Sequence, residues 1–372
     1  METVMTTAMT TAGPPFDYLI FIGRFEPFHH GHAAVARHAL SRAKKLIFLV
    51  GSADTPRTIK NPWTVAERAV MIQSALAEHA ERLLIRPLRD HLYNESQWIA
   101  AVQRAVADAI RANKSIAATS GAGGGDPAVS VGLIGQDKDA SSYYLREFPQ
   151  WPLVDVRHTE TLSATELRRY LFEANKLDSH GGLMLIRANV PTPVFDMLDA
   201  FRKNSPAFAQ LVAEYQFIEK YKAAWADAPY PPTFVTTDAV VVYSGHVLLV
   251  RRRAEPGKGL WALPGGFVDR SEGLFESCVR ELREETRLKI PERVLKGSLK
   301  HQHVFDHPER SLRGRTITHA YHFEFPNGDL PDVRGGDDAD KARWIPVSEA
   351  LEMGPQLYED HLYILEFFLG RG

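Results

Sequence analysis

Three carboxylates and a pair of imidazoles set the terms for the chemistry open to this 372-residue chain. Glu281, Glu284 and Glu285 stand at i, i+3 and i+4, so a helix carries them on one face. Carboxylates this close repel one another unless a cation joins them, and Mg²⁺ or Mn²⁺ favours such oxygen ligands. A metal there would polarise a diphosphate and activate a water. Gly265 and Gly266 turn the chain just upstream, which brings a backbone carbonyl at Gly266 within reach of the metal. Arg280 is better placed to orient a neighbouring glutamate than to touch substrate. A solvated acidic helix is the common reading of such a string, but the upstream glycine pair and Glu272 count against it here.

The second grouping is Gly23-Arg24-Phe25-Glu26-Pro27-Phe28-His29-His30-Gly31-His32. His29 and His32 bracket a glycine at the entrance of a predicted helix. A helix N-terminus offers unpaired N–H groups and partial positive charge, so it attracts phosphate. Gly31 lets the backbone approach closely, and two imidazoles can donate hydrogen bonds to phosphoryl oxygens as charge builds. A third segment, Ser163-Ala164-Thr165-Glu166-Leu167-Arg168, places an N-cap serine three residues before a glutamate, the pattern of a capping box. Taken alone it is equally an ordinary capped helix.

These groups need elements to hold them. Tyr18–Ile22 and Leu46–Val50 are short buried runs, each ending at a glycine, with a helical pattern at Ala33–Ala43 between them. Strand, helix, strand predicts a βαβ unit and a parallel sheet. Further elements are expected as a helix from Thr64 to about His79, a strand at Leu83–Pro87, a helix at Ser96–Ala112, a strand at Val129–Gly135 and a helix at Thr165–Glu173. Residues 115–127 are Gly-rich without a following GK[ST], and read as a surface loop. Val194–Arg202 and Ala207–Ala226 are helical in pattern. The segment 228–234 (APYPPTF) cannot continue a helix. After it come β runs at Asp238–Tyr243, His246–Arg251 and Ile317–Phe325, with a hairpin turn signal at 243–246 (YSGH). The expected fold is α/β, a parallel-sheet domain followed by an α+β domain. The expected organisation is a disordered tail at 1–15, a first domain at 16–190, a helical segment and linker at 191–230, and a second domain at 231–372.

Composition narrows the function classes. Hydrophobic residues make up 44% and charged residues 24%, enough apolar material for folded cores. Lys plus Arg is 44 against 46 Asp plus Glu, a net charge of −2, which argues against a dedicated nucleic-acid binder. One cysteine, Cys278, leaves no internal disulfide and no Cys-based zinc site; it reads as a packing residue. No apolar run reaches membrane-spanning length, and residues 1–15 lack the marks of a secretory signal. No membrane partner is expected, and the cytoplasm is the expected compartment.

The segment at 23–32 resembles the GRFxPxHxGH motif of archaeal-type nicotinamide-mononucleotide adenylyltransferases, within the HxGH nucleotidyltransferase superfamily. Residues 163–168 resemble that family's SxTxxR, and 51–68 its region after the second strand. The resemblance implies a Rossmann-like fold. It implies that the 5′-phosphate of nicotinamide mononucleotide attacks the α-phosphorus of ATP in line, giving NAD and pyrophosphate, by positioning and charge neutralisation. On this reading His29 and His32 bind the phosphate chain, with Gly23 and Gly31 in the motif. Arg24, Lys60 and Arg168 stabilise pyrophosphate, with Arg57 as the alternative to Lys60. The free N–H groups at the helix start of 163–168 and Arg168 face the β- and γ-phosphates, with Ser163 and Thr165 as substrate-binding residues of the motif. Mg²⁺ bridges phosphates with few protein ligands. Asp90, Asn94 and Trp98 resemble a set that binds the nicotinamide ring, with one extra residue between Asn94 and Trp98; a core aromatic is the alternative for Trp98.

Residues 266–288 resemble the Nudix signature GX5EX7REUXEEXGU, from Gly266 and Glu272 through Arg280, Glu281, Glu284 and Glu285 to Leu288. Arg287 stands where that family has glycine, read as a helix C-cap of positive φ; arginine there should cost about 1 kcal/mol. Nudix enzymes cleave a nucleoside diphosphate linked to another group. Their pairing with an NAD-making domain resembles a known bifunctional bacterial arrangement. It implies that ADP-ribose becomes AMP and ribose 5-phosphate, with Mg²⁺ or Mn²⁺ on Glu281, Glu284, Glu285 and the Gly266 carbonyl. One of Asp337, Asp338 and Asp340 would assist the water, or the run is a solvated turn. Two rival functions stay open: a Nudix half that senses ADP-ribose or NAD without turnover, and an adenylyltransferase for another acceptor such as phosphopantetheine. Assembly as a homo-oligomer also stays open.

Overall fold

Parallel strands buried on both faces read as unbroken apolar runs, and β1 (Phe16–Gly23) and β2 (Ala43–Val50) are of this kind. They pair in parallel across α1 (His30–Arg42). In the computed structural model, residues 15–119, 129–135, 144–156, 162–174, 180–336 and 339–370 are described. The expected tail (but for Pro15), most of the Gly-rich stretch, Asp337 and Asp338 lie outside them. The chain divides into two units. One holds the residues up to Ala53, Trp63–Asp90 and Ser96–Ala200; the other holds Asp54–Pro62, His91–Glu95 and Phe201–Gly372.

In the first unit, β3 (Leu83–Pro87), β4 (Val131–Gly135) and β5 (Leu153–Asp155) complete a five-stranded parallel sheet in the order β3-β2-β1-β4-β5. The strand order reverses beside β1, and open α/β sheets bind ligands at the carboxyl ends of strands at such a reversal. The 23–32 segment begins there. α2 (Val65–Ala75), α3 (Glu95–Thr119), α4 (Ala164–Glu173), α5 (His180–Asn189) and α6 (Thr192–Asn204) follow in chain order. Val102, Val106 and Ala109 of α3 recur at helical spacing and pack on Ile20, Ile22 and Leu49.

Two expectations change. The helix from Thr64 stops at Ala75, because buried Leu76 leaves the helical region (φ −126°, ψ 35°) and Ala77–Arg82 tightens into a 3-10 turn leading to β3. α3 runs on to Thr119, so residues 115–119 are helix rather than loop.

The second unit opens with α7 (Pro206–Ala223). β6 (Thr233–Tyr243) and β7 (His246–Arg252) form a hairpin whose turn residues Ser244 and Gly245 both have positive φ (46° and 73°), as a type I′ turn requires. β8 (Trp261–Ala262) pairs with β7, and β9 (Gly265–Phe267) with β6. Then come α8 (Leu274–Thr286), α9 (Glu292–Ser298), β10 (Leu299–Phe305), β11 (Arg315–Phe325), β12 (Ala339–Pro346), α10 (Val347–Ala350) and α11 (His361–Leu369). The main path is β10-β11-β6-β7-β12, antiparallel except for β11 with β6. Alternation along β6 sends Ala239 and Val241 to the core under α8, and Val240 and Val242 to the core under α11. The sheet is therefore covered on both faces, and Cys278 packs in the α8 core.

Candidate functional site

In the first unit, His29 is the N-cap of α1, with extended backbone (φ −127°, ψ 174°). Its Nδ1 accepts from Gly31 N at 3.1 Å, and His32 Nδ1 accepts from His29 N at 3.4 Å. The pair replaces the serine and glutamate of a usual capping box. A neutral imidazole whose Nδ1 accepts carries its proton on Nε2. The fold thus sets both rings as Nε2–H donors at a helix N-terminus. Their centroids are 3.8 Å apart, and His32 stands edge-on to Phe25 at 5.0 Å, in a cluster with Phe21 and Phe28.

Beneath them lies a buried charge cluster that sequence reasoning missed. Glu26, 1% exposed, is 3.2 Å from Arg68 Nε and accepts from Trp63 N at 3.2 Å. Burial pushes its carboxyl up to about 7, against the pull of Arg68 and Arg168. Arg68 Nη1 donates to the carbonyls of Arg24 and Gly51 at 2.8 and 2.7 Å, tying the ends of β1 and β2 together. Gly23 closes β1, and its carbonyl accepts from Gly51 N. At α4 the capping box is present: Ser163 Oγ accepts from Glu166 N at 3.2 Å, and Glu166 Oε2 accepts from Ser163 N at 2.8 Å. Arg168 is 6% exposed, donating to the Glu26 carbonyl at 2.6 Å and Thr165 Oγ1 at 3.1 Å. It links α4 to the histidine loop. Burial brings its guanidinium down to about 10.

The remaining expected residues have contacts of their own. Asp90 Oδ1 accepts from Ser52 N at 2.9 Å. Trp98 is half-buried and packs on Tyr144 and Phe148 against the core. Asn94, Arg57 and Lys60 group with the second unit. There Lys60 Nζ is 2.6 Å from Glu309 Oε2, and Arg57 Nη1 donates to the Pro62 carbonyl at 2.7 Å.

In the second unit, α8 carries the glutamates. Arg280 binds Glu272 (2.6 and 2.9 Å), Glu281 (2.8 Å) and Glu284 (2.9 Å). It orients three carboxylates, as its position suggested. The Arg280 hydrogen bonds hold the Glu272 carboxyl down to about 2. Glu285 is buried, its Oε2 accepting from Gly265 N at 3.0 Å. Burial first, then the neighbouring Glu281 and Asp238, pushes it up to about 8. A Cβ on Gly266 would lie 2.5 Å from Glu281 Oε1, so any larger residue there would displace that carboxylate. Arg287 has φ +55°, ψ 22° and its N–H reaches the Arg283 carbonyl: the left-handed C-cap expected of the glycine is kept by an arginine.

A cavity of about 220 Å³ opens here, lined by Glu281 and Glu285 together with Asp238, Arg252, Arg310, Arg313, Glu359 and His361. Asp238 Oδ2 accepts from Thr318 Oγ1 at 2.6 Å, and its Oδ1 lies 3.9 Å from His361 Nε2. His361 Nδ1 accepts from Leu263 N at 2.8 Å. Arg310 grips Asp360 through two bonds of 2.8 and 2.9 Å, and Tyr93 donates to the same carboxylate. None of these carried a sequence signal, since their partners are far apart in the chain. Asp340 pairs with Arg251. Among the described residues no three His, Cys, Asp or Glu side chains converge to hold a metal as they stand. Glu281 and Glu285 nonetheless fit a divalent cation: they are partly or wholly buried oxygen donors whose carboxyls burial pushes up, and a cation beside them would favour the charged form. Glu284 is engaged by Arg280.

The model of the NUDIX domain family matches residues 233–367, and that of the cytidylyltransferase-like family matches 20–169. A nicotinamide/nicotinic acid mononucleotide adenylyltransferase of Acinetobacter baylyi is 34% identical over 203 residues, 54% of this chain and 94% of that protein. An ADP-ribose pyrophosphatase of Methanocaldococcus jannaschii is 33% identical over 135 residues, 36% of this chain and 72% of that protein. Fold and sites together define an HxGH nucleotidyltransferase joined to a Nudix hydrolase. The crystal structure of a bifunctional NMN adenylyltransferase/ADP ribose pyrophosphatase from Francisella tularensis, complexed with AMP and a manganese ion, superposes with a TM-score of 0.83 at 32% identity, covering 95% of this chain and 98% of that one. The chain belongs to this family of bifunctional NMN adenylyltransferase/ADP-ribose pyrophosphatases.

Proposed function

We infer that the chain makes NAD at one site and hydrolyses ADP-ribose at the other. The observation that carries this is the presence of both motif sets, the histidine pair and the glutamate helix, in a single chain matched over nearly its whole length by one bifunctional relative.

In the first reaction the 5′-phosphate oxygen of nicotinamide mononucleotide bonds to the α-phosphorus of ATP. The bond to the β-phosphate breaks, and pyrophosphate leaves. The Nε2–H groups of His29 and His32 donate to phosphoryl oxygens, beside the N-terminus of α1. Arg24 adds positive charge. Arg168 acts as a positioning residue, through its bonds to Glu26 and Thr165.

In the second reaction a water oxygen bonds to one phosphorus of the ADP-ribose diphosphate and the bridging P–O bond breaks, giving AMP and ribose 5-phosphate. Glu281, Glu284 and Glu285 would hold a divalent cation, Mg²⁺ with Mn²⁺ as substitute. Such an ion, when bound, supplies Lewis acidity to the diphosphate and acidifies water. Arg280 orients the carboxylates. Arg252 and Arg313, which line the cavity, neutralise diphosphate oxygens.

Two assays on the purified protein test the reading: NAD and pyrophosphate from ATP and nicotinamide mononucleotide, and AMP and ribose 5-phosphate from ADP-ribose. Both products are expected with Mg²⁺, and chelation should stop hydrolysis. Saturable ADP-ribose binding without turnover would make the second unit a sensor instead.

A further inference from the structure

Glu359 lines the hydrolase cavity from outside the Nudix signature. It has φ +46°, the left-handed region that a glutamate enters at a cost. Strain of this kind lasts only where neighbours over-determine the backbone, and both neighbours here are pinned. Tyr358 is buried, with the Arg252 guanidinium 4.1 Å from its ring centre. Asp360 is 1% exposed and gripped at both oxygens by Arg310. Between these anchors Glu359 is half-buried, lining the cavity that Glu281 and Glu285 also line. The Tyr358 hydroxyl donates to Glu359 Oε1 at 2.7 Å, and this is its one hydrogen bond among the described residues. The phenol aims the carboxylate and leaves acceptor capacity on Oε2.

Glu359 shares the cavity with Arg310 and Arg313, whose guanidinium groups its carboxylate favours. A carboxylate with open acceptor capacity in a nucleotide cavity suits paired sugar hydroxyls, which are donors.

We propose that Glu359, aimed by the Tyr358 hydroxyl, is a specificity residue of the hydrolase site that accepts hydrogen bonds from the vicinal hydroxyls of a ribose on the nucleoside diphosphate. The proposal rests on the ADP-ribose reading above. Either ribose of that substrate could supply the diol, and the test separates them.

The experiment measures hydrolysis by the full chain of ADP-ribose and two analogues, one lacking the adenosine 2′-hydroxyl and one lacking the matching hydroxyl of the terminal ribose. Wild type is compared with Glu359→Gln, and with Glu359→Gly, which meets the backbone demand without strain. Wild type should discriminate against one analogue by about 10-fold or more in KM, since a charge-assisted hydrogen bond is lost. Both variants should raise KM for ADP-ribose by a similar factor with kcat within about 2-fold, and should no longer discriminate against that analogue while treating the other as before. The analogue whose penalty vanishes identifies the ribose. Unchanged discrimination in the variants overturns the proposal. So does a fall in kcat on all three compounds with loss of the acidic limb of the pH profile, which would make Glu359 a base. If wild type turns over no ADP-ribose, the functional reading fails separately. The same three compounds are then compared by calorimetric binding, where equal losses for all of them overturn the proposal and a loss confined to one supports it.

Discussion

The two sites handle the same kind of bond with opposite materials. In the first, the reactive groups are neutral donors whose orientation is finished before any ligand arrives: backbone N–H groups hold each imidazole by Nδ1, and packed phenylalanines flank His32. In the second, the reactive groups are crowded carboxylate acceptors, and one arginine ties two of them, Glu281 and Glu284, to Glu272. A site made of donors can meet phosphate directly. A site made of acceptors cannot, and needs an intervening cation. Forming a phosphoanhydride and hydrolysing one thus draw on different parts of the residue alphabet.

The sharpest break of this comparison is in the acceptor site. Glu285→Gln should lower ADP-ribose hydrolysis on the order of 10³-fold while NAD synthesis stays unchanged, measured on the same preparation. His32→Ala should do the converse, lowering NAD synthesis by roughly 10²–10³-fold. A folded variant that loses both activities would refute two independent chemistries. Next in size, Arg280→Ala should weaken divalent-cation affinity by about 10- to 100-fold, because the carboxylates lose their common restraint; titration of activity against Mn²⁺ reads this directly.

A third prediction concerns charge buried away from either reaction. Glu214, 5% exposed, accepts from Ile59 N at 2.9 Å, and burial pushes its carboxyl up to about 7. A raised carboxyl stabilises the fold below its unfolded value near 4.5, and that contribution is lost as pH rises through about 7. Between pH 5 and 8 it should cost roughly 3 kcal/mol. Glu214→Gln should flatten this part of the profile in denaturant titrations, and an unchanged slope would count against it. The smallest effect is expected at the C-cap of α8. Arg287→Gly should raise stability by about 1 kcal/mol or less and leave hydrolysis intact.

Much of this was legible because the signals are local. The loop after β1, the capping box of α4, the type I′ turn at Ser244-Gly245 and the glutamate face of α8 each lie within a few consecutive residues. The positive φ of Arg287 could be read because the departure from the Nudix pattern marked it. What stayed hidden is built from distant partners. Glu26 meets Arg68, Tyr93 meets Asp360, and Lys60 meets Glu309 only through the fold's topology. Arg168, which the resemblance made a phosphate ligand, also donates to the Glu26 carbonyl, a contact that no local signal marks. The contacts of Trp98 with Tyr144 and Phe148 are of the same long-range kind.

Cys278 has a practical consequence. It is the one thiol in the chain, 1% exposed in the helix of the hydrolase glutamates, and burial raises its pKa well above that of a free thiol. A protonated, enclosed sulfur reacts with alkylating agents only when its surroundings open. The protein therefore carries its own single-site clock. The rate at which native protein takes up one label reports how often the ground under the glutamate helix gives way, with no tag, mutation or second signal to disentangle.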